Sequence, residues 1–262
     1  MGAVVRNGGR VIDAIITAGG RLPSDVADRY GTDIKGCVRI GDESLLARTV
    51  SALRGVAAVE RITLVAPEKA RSEAAVDEFI VEKTTGEENL LAALSAARGE
   101  RTIFCASDMP FISSYVLCDL LERAPEPAVV VYPIFTRDEF ERAYPGGRSS
   151  FAHLADGAWT GASALVVRAA PLLQHRGAIT RAFSARKSLP ALAGLFGSKL
   201  MIAYLRRMLR VSDVEARAAG LLGGPVVAMR GADPALAFDC DDESDFVYAE
   251  TLLARTTPWS ET

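Results

Sequence analysis

The feature that most constrains this chain is the texture of its apolar runs. Residues 11–17 (VIDAIIT), 61–66 (RITLVA), 101–106 (RTIFCA), 128–134 (AVVVYPI) and 161–168 (GASALVVR) are short, β-rich and nearly continuous in apolar character. Strands that face water on one side alternate; runs like these suit strands covered by helices on both faces. Helical patterns lie between them, at residues 44–54, 88–97 and 113–123. In the first of these, Leu45, Leu46, Thr49, Val50 and Leu53 fall on one helical stripe. Strand and helix alternating at this spacing predict an α/β fold with a mostly parallel, doubly wound sheet.

After residue 169 the texture turns helical. Residues 171–223 are expected to form a helical insert or lobe near the C-terminus of a single domain spanning 1–262, a length within the range of one large domain. Within it Ser212 and Glu215 have the S-x-x-E spacing of a capping box, opening a helix through residue 222. Residues 225–229 and 236–240 return to strand character, and 244–255 close the chain as an amphipathic helix.

Charge and cysteine usage exclude several classes of function. The formal net charge of -3 speaks against a general nucleic-acid binder, while leaving room for a local basic pocket. Cys37, Cys105, Cys118 and Cys240 form no CxxC pair, and His153 and His175 are too few and scattered for a zinc site. Scattered cysteines of this kind read as reduced, so a cytoplasmic location is expected. No long apolar stretch precedes the first charges, so no signal peptide is expected. The apolar stretch at residues 189–209 is interrupted by Pro190, Gly194, Gly197 and Lys199, which rules out a bilayer span and leaves no membrane partner expected.

Four loops carry residues suited to chemistry. The first strand runs into Ala18-Gly19-Gly20-Arg21, where two glycines let the backbone approach a ligand and turn amides can face phosphate oxygens. This is neither a G-x-G-x-x-G nor a Walker A loop. Lys35 follows, before the helix at 44–54, and a lysine held there is a compact cation for phosphate charge. The third strand ends at Ser107-Asp108-Met109-Pro110. A carboxylate at the C-terminal end of a buried strand sits where open α/β sheets bind ligands, and its oxygens suit Mg²⁺. Capping of the next helix falls to Ser113 rather than Asp108. In Asp239-Cys240-Asp241 an extended backbone puts both carboxylates on one face, consistent with metal binding, whereas Asp242, Glu243 and Asp245 read as a solvated acidic turn. Finally, Gly86-Glu87-Glu88-Asn89 opens a helix, and its glycine and asparagine suit either a base edge or an ordinary helix start.

Together these residues resemble the nucleotidyltransferases of the glycosyltransferase A-like fold, and among them the molybdenum-cofactor guanylyl- and cytidylyltransferase (MobA-like) group. That family reads strand, L-x-A-G-G, lysine and a G-x-x-L helix, which residues 15–20, Lys35 and residues 41–45 resemble. Its G-D-M-P metal loop resembles Ser107-Asp108-Met109-Pro110, its late D-x-D-T-P-E-D resembles residues 239–245, and its base loop resembles residues 86–89. The sequence departs from the pattern in the long stretch 22–34, which makes either Arg21 or Arg29 the family arginine, and in Ser107 standing where glycine is usual.

The resemblance implies a Mg²⁺-dependent transfer of NMP from an NTP to a phosphorylated small-molecule acceptor, with release of pyrophosphate. Lys35, Arg21 and Asp108 are the implied catalytic residues. Ala18, Gly19, Gly20, Arg21, Lys35, Gly86, Asn89 and Ser107 are implied to bind nucleotide, and Asp108 with Asp239 or Asp241 to hold the metal. Arg186 and Lys187 are implied to meet the acceptor's anionic group. Two other readings remain beside it: a nucleotide-sugar-dependent glycosyltransferase, invited by the D-x-D pattern, and a non-catalytic nucleotide-binding module.

Overall fold

The computed structural model describes residues 12–185, 194–195 and 197–256. Its centre is a sheet in the order β5-β4-β1-β6-β10-β7, comprising Glu78–Val81 (β5), Val59–Ala66 (β4), Ile12–Thr17 (β1), Arg101–Ala106 (β6), Ala164–Val167 (β10) and Val130–Thr136 (β7). The first four are parallel, as their continuous apolar character predicts. β10 is inserted antiparallel to both of its neighbours. Val226–Met229 (β11) then runs parallel along the other edge of β7. The last residues of β7 also pair with Gly157–Gly161 (β9), which carries Ala152–Leu154 (β8) as a hairpin partner. A small ribbon, Arg39–Ile40 (β2) with Glu43–Ser44 (β3), stands apart from this sheet.

Helices cover both faces. Ala14 and Ile16 of β1 join a large cluster with the buried stripes of Leu45–Arg54 (α2), Ser114–Arg123 (α4) and Glu243–Thr256 (α10). Ile15, pointing the other way, packs with Val65 against Ala93 of Gly86–Ala96 (α3). This alternation within one strand is what a doubly wound sheet requires. The predicted starts of two helices hold: Ser44 caps α2 by accepting from the Ala47 amide at 3.2 Å, and Ser113 caps α4 by accepting from Val116 at 3.3 Å.

Between β10 and β11 lie Ala169–Gln174 (α6), Arg176–Ala185 (α7), Ser198–Leu205 (α8) and Val211–Leu222 (α9). The first two bury Ala169, Leu172 and Ile179 with Leu94 of α3, so they extend the α3 layer.

Three expectations are corrected. Residues 236–240 are not a strand: Pro234–Leu236 is a 3-10 turn, and beyond it the backbone bonds of this run go to loops, with Cys240 N–H donating to Asp108 C=O at 3.0 Å. The apolar signal there reflects core burial of Leu236, Phe238 and Cys240, not sheet pairing. Ser212 and Glu215 do not form a capping box, because the helix begins two residues earlier than that spacing requires, at Val211 with Arg210 as its N-cap. Asp213 accepts from the Arg210 amide at 2.9 Å, while Glu215 reaches the Ala228 amide at 2.7 Å and ties α9 to β11. Asp245 is buried rather than solvated, and its carboxylate accepts from the amides of Asp241 and Asp242, both at 3.0 Å.

Candidate functional site

The C-terminal ends of the parallel strands β1, β5 and β6 gather sequence-marked loops at one end of the sheet. Ala18 still belongs to the sheet, its amide donating to Val65 C=O at 2.9 Å and its side chain fully buried. Past it, the amides of Gly19, Gly20 and Arg21 donate to nothing among the described residues. Three consecutive free N–H groups after a strand form the kind of concavity that receives anionic oxygens.

The long stretch 22–34 is a folded excursion with closed ends. Arg21 and Ile34 form an antiparallel bridge, and Leu22 N–H donates to Asp33 C=O at 2.9 Å. Ser24–Tyr30 (α1) fills it, stopped by Gly31 in the left-handed conformation at φ 68°. Leu22, Val26 and Ile34 are buried, which anchors the excursion to the core. Its return delivers Lys35 beside the glycines, with Lys35 N–H donating to Gly20 C=O at 3.1 Å. A Cβ on Gly20 would lie 3.1 Å from Lys35 Cδ, so a larger residue there would crowd the lysine stem. The two candidate arginines separate. Arg21 stays at the glycine turn, bonding Gly19 C=O at 3.0 Å and pairing with Glu82, whereas Arg29 on α1 pairs with Glu243 at the start of α10.

Lys35 points at the carboxylates. Its Nζ lies 2.5 Å from Asp241 Oδ1. Burial draws the lysine's pKa down, but the bond to Asp241 and the charges of Asp241, Asp108 and Asp239 outweigh it, leaving a net rise. Asp108, at the end of β6, is partly buried. Burial first, and then the charge of Asp239, push its carboxyl up to about 7 against the pull of Lys35. Asp239 is also raised, by burial and then by Asp241, and is partly offset by the Ser163 hydroxyl, which donates to its Oδ2 at 2.9 Å.

The backbone holds these carboxylates in place. Cys240 is bonded to Asp108, Ser163 N–H donates to Leu236 C=O at 2.7 Å, and Ser163 C=O accepts from Ala106 N–H at 2.8 Å. Phe238, beside Asp239, is locked among Phe111 and Tyr144 at centroid distances of 4.9 and 5.0 Å. The loop carrying Asp239 is thus bolted to the end of β6 by hydrogen bonds and aromatic packing.

Asp108, Asp239 and Asp241 do not close into a three-ligand metal cluster among the described residues. Asp241 is exposed and turned to Lys35. Asp108 and Asp239 are hard oxygen donors whose mutual repulsion a divalent cation would relieve. Mg²⁺ commonly takes one or two protein carboxylates with substrate phosphates completing its shell, so this pair fits it.

Ser107 is buried, and its Oγ lies 2.5 Å from where a Cβ on Gly36 would stand. The serine that replaces the usual glycine is accommodated because position 36, next to Lys35, has no side chain. Gly86 is the first residue of α3, after a capping box between Thr85 and Glu88. Asn89 accepts from the Lys83 amide at 2.5 Å, and its amide nitrogen would lie 3.9 Å from a Cβ on Gly19, so the loop at 83–89 abuts the glycine turn. Arg186 and Lys187 lie outside the described residues.

Sequence reasoning missed Glu82, Ser163 and Gly36. Glu82 follows β5, a strand of four residues that is too short to signal itself. Ser163 sat inside an apolar run. Gly36 carries no chemistry of its own, and only its contact with Ser107 gives it a role.

No curated protein matches the chain in sequence. A hypothetical transferase from Thermus thermophilus is similar in structure at TM-score 0.80 and 26% identity, covering 90% of this chain and 99% of that one. The 2-C-methyl-D-erythritol 4-phosphate cytidylyltransferase of Thermus thermophilus shares the fold at TM-score 0.56 and 17% identity, covering 93% and 99%. A CMP:2-keto-3-deoxy-manno-octonic acid synthetase solved with CTP shares it at TM-score 0.54 and 13% identity, covering 94% and 100%. The family model described as the MobA-like NTP transferase domain matches residues 14–210, most of the chain and the glycine turn, Lys35 and Asp108 with it. The chain belongs to the MobA-like NTP transferase family and is a nucleotidyltransferase.

Proposed function

We propose that this nucleotidyltransferase moves an NMP unit from an NTP to a phosphorylated small-molecule acceptor, releasing pyrophosphate. The observation that carries the reading is the convergence of Lys35 with Asp108, Asp239 and Asp241 beside three free backbone amides. Such a set recognises a polyphosphate and tolerates charge built up during its cleavage.

The amides of Gly19, Gly20 and Arg21 hold the triphosphate, with Arg21 at its edge. Lys35 neutralises charge on the phosphates; its pairing with Asp241 keeps it charged and aimed until substrate arrives. Gly86 and Asn89, on the loop abutting the glycine turn, take the nucleoside end. Asp108 and Asp239 would hold Mg²⁺, which when bound supplies Lewis-acid polarisation and a template for the triphosphate. An acceptor phosphate oxygen attacks the α-phosphorus, a new P–O bond forms, and the bond to the β-phosphate bridging oxygen breaks. An acceptor already ionised at neutral pH needs no general base, so catalysis here is positioning and charge neutralisation.

The test is pyrophosphate release with each of the four NTPs, Mg²⁺ and a panel of phosphorylated acceptors. Activity with at least one pair is expected, falling at least tenfold in Lys35→Ala and Asp108→Asn. Full activity in those two variants would overturn the site. Nucleotide binding with no pyrophosphate release from any pair would favour a non-catalytic module.

A further inference from the structure

A second surface is set apart by its charge and exposure, far from Asp108 in sequence. Residues 157–212 contain nine Lys or Arg and no Asp or Glu, leaving a net charge of -12 on the rest of the chain. Within this stretch α8 and the turn after it expose aliphatic surface: Ile202 is 49% exposed, Leu205 71% and Met208 65%. Lys199, Arg206, Arg207 and Arg210 are exposed around them, and none makes an ion pair among the described residues.

The turn fixes this display. Met208 N–H donates to Ala203 C=O at 2.7 Å and Arg207 N–H to Tyr204 C=O at 2.9 Å, the bond pair of a Schellman C-cap. The left-handed position, usually glycine, is Arg207 at φ 55°. Leu209 is then buried, and its carbonyl accepts from Ala155 N–H at 2.8 Å. The exposed side chains are therefore held on a structured edge pinned to the β8–β9 hairpin.

We propose that residues 198–210 dock this protein on an anionic lipid surface, with Ile202, Leu205 and Met208 entering the interface and the four cations meeting headgroup phosphates. An interfacial amphipathic segment combines exposed apolar side chains with Lys and Arg, as this one does. A second copy is disfavoured, because a two-fold contact would set this acid-free segment against itself. Tyr204, 38% exposed, is the one aromatic ring of residues 198–210, whereas single-stranded nucleic acid is tracked by successive aromatic stacking platforms. No helix of the described residues is long and apolar enough to cross a membrane, and interfacial docking requires none.

The experiment is co-sedimentation of the full chain with vesicles of phosphatidylcholine and phosphatidylglycerol (3:1) and of phosphatidylcholine alone, at low salt and at 0.5 M NaCl. Binding is expected to the anionic vesicles only and to weaken at least tenfold in high salt. Arg206→Glu with Arg207→Glu, and separately Leu205→Gln with Met208→Gln, should each weaken it at least tenfold with unchanged circular dichroism. Absence of binding to anionic vesicles, equal binding to neutral ones, or binding insensitive to salt would overturn the proposal without recourse to any variant. A dimer in solution that Leu205→Gln with Met208→Gln dissociates would assign the face to a second copy and overturn it as well. None of these outcomes bears on nucleotidyl transfer, so the two readings fail separately.

Discussion

Asp108→Asn should make the free protein more stable at alkaline pH while removing its activity. The Asp108 carboxyl rises from an ordinary 3.8 to about 7, through burial first and the charge of Asp239 second. Three pH units correspond to about 4 kcal/mol at 1.36 kcal/mol per unit. The sign follows from proton linkage: the folded pKa lies above the unfolded one, so the folded chain holds a proton that the unfolded chain has released. The stabilisation is complete below about pH 4 and is lost as pH rises through about 7. Asparagine has no proton to lose and no such slope. Solvent reaches part of Asp108, and we halve the figure to about 2 kcal/mol, which for a chain of this size is a Tm difference of about 4–8 °C. Because pH 5.5 already lies midway through that window, thermal unfolding in EDTA at pH 5.5 and pH 8.5 should show the variant gaining on the native protein by about half of that amount between the two conditions. Excess Mg²⁺ should close the gap at pH 8.5 by stabilising the native protein alone. A Tm difference that is the same at both pH values would refute the argument that an ionised Asp108 strains the free protein.

Gly36→Ala places a methyl 2.5 Å from Ser107 Oγ in a buried site and should cost about 1–3 kcal/mol, read by urea denaturation. Adding Ser107→Gly should recover most of that loss; no recovery would show that the clash lies elsewhere. Ser163→Ala removes the hydroxyl that favours ionised Asp239, a charge-assisted bond of about 1.5–3 kcal/mol. The acid limb of the activity profile should then move to higher pH, and an unmoved limb would separate Asp239 from the reaction. Arg207→Gly relieves a left-handed arginine and should raise stability by about 1 kcal/mol in thermal melts, since glycine adopts that backbone freely.

The parallel half of the fold was legible because β1, β4 and β6 are buried on both faces and read as unbroken apolar runs. The antiparallel insertion of β10 was not, since direction leaves no mark on a strand covered on both sides. β8 and β9 were hidden for a different reason: Ala152, His153 and Gly157 give neither an apolar run nor strict alternation. The run at residues 236–240 misled because Leu236, Phe238 and Cys240 are buried in the core, and burial rather than pairing wrote the pattern. Within the candidate site, the groups proposed to carry chemistry were marked by the sequence: the glycine turn, Lys35, Asp108 and Asp239. Groups that only steer them were not. Ser163 orients Asp239 across 76 residues, and Glu82 meets Arg21 across 61, separations that no local pattern records.

At the centre of the proposed mechanism, the glycine turn and Lys35 would hold a triphosphate whose metal would be held by Asp108 and Asp239. Its most direct test is calorimetric titration with a non-hydrolysable NTP, with Mg²⁺ and with EDTA, in the native protein and in Asp108→Asn and Asp239→Asn. Binding at least tenfold tighter with Mg²⁺ is expected in the native protein, with no Mg²⁺ advantage in either variant. A Mg²⁺ advantage that survives in both variants, or the absence of binding by any NTP, would contradict it.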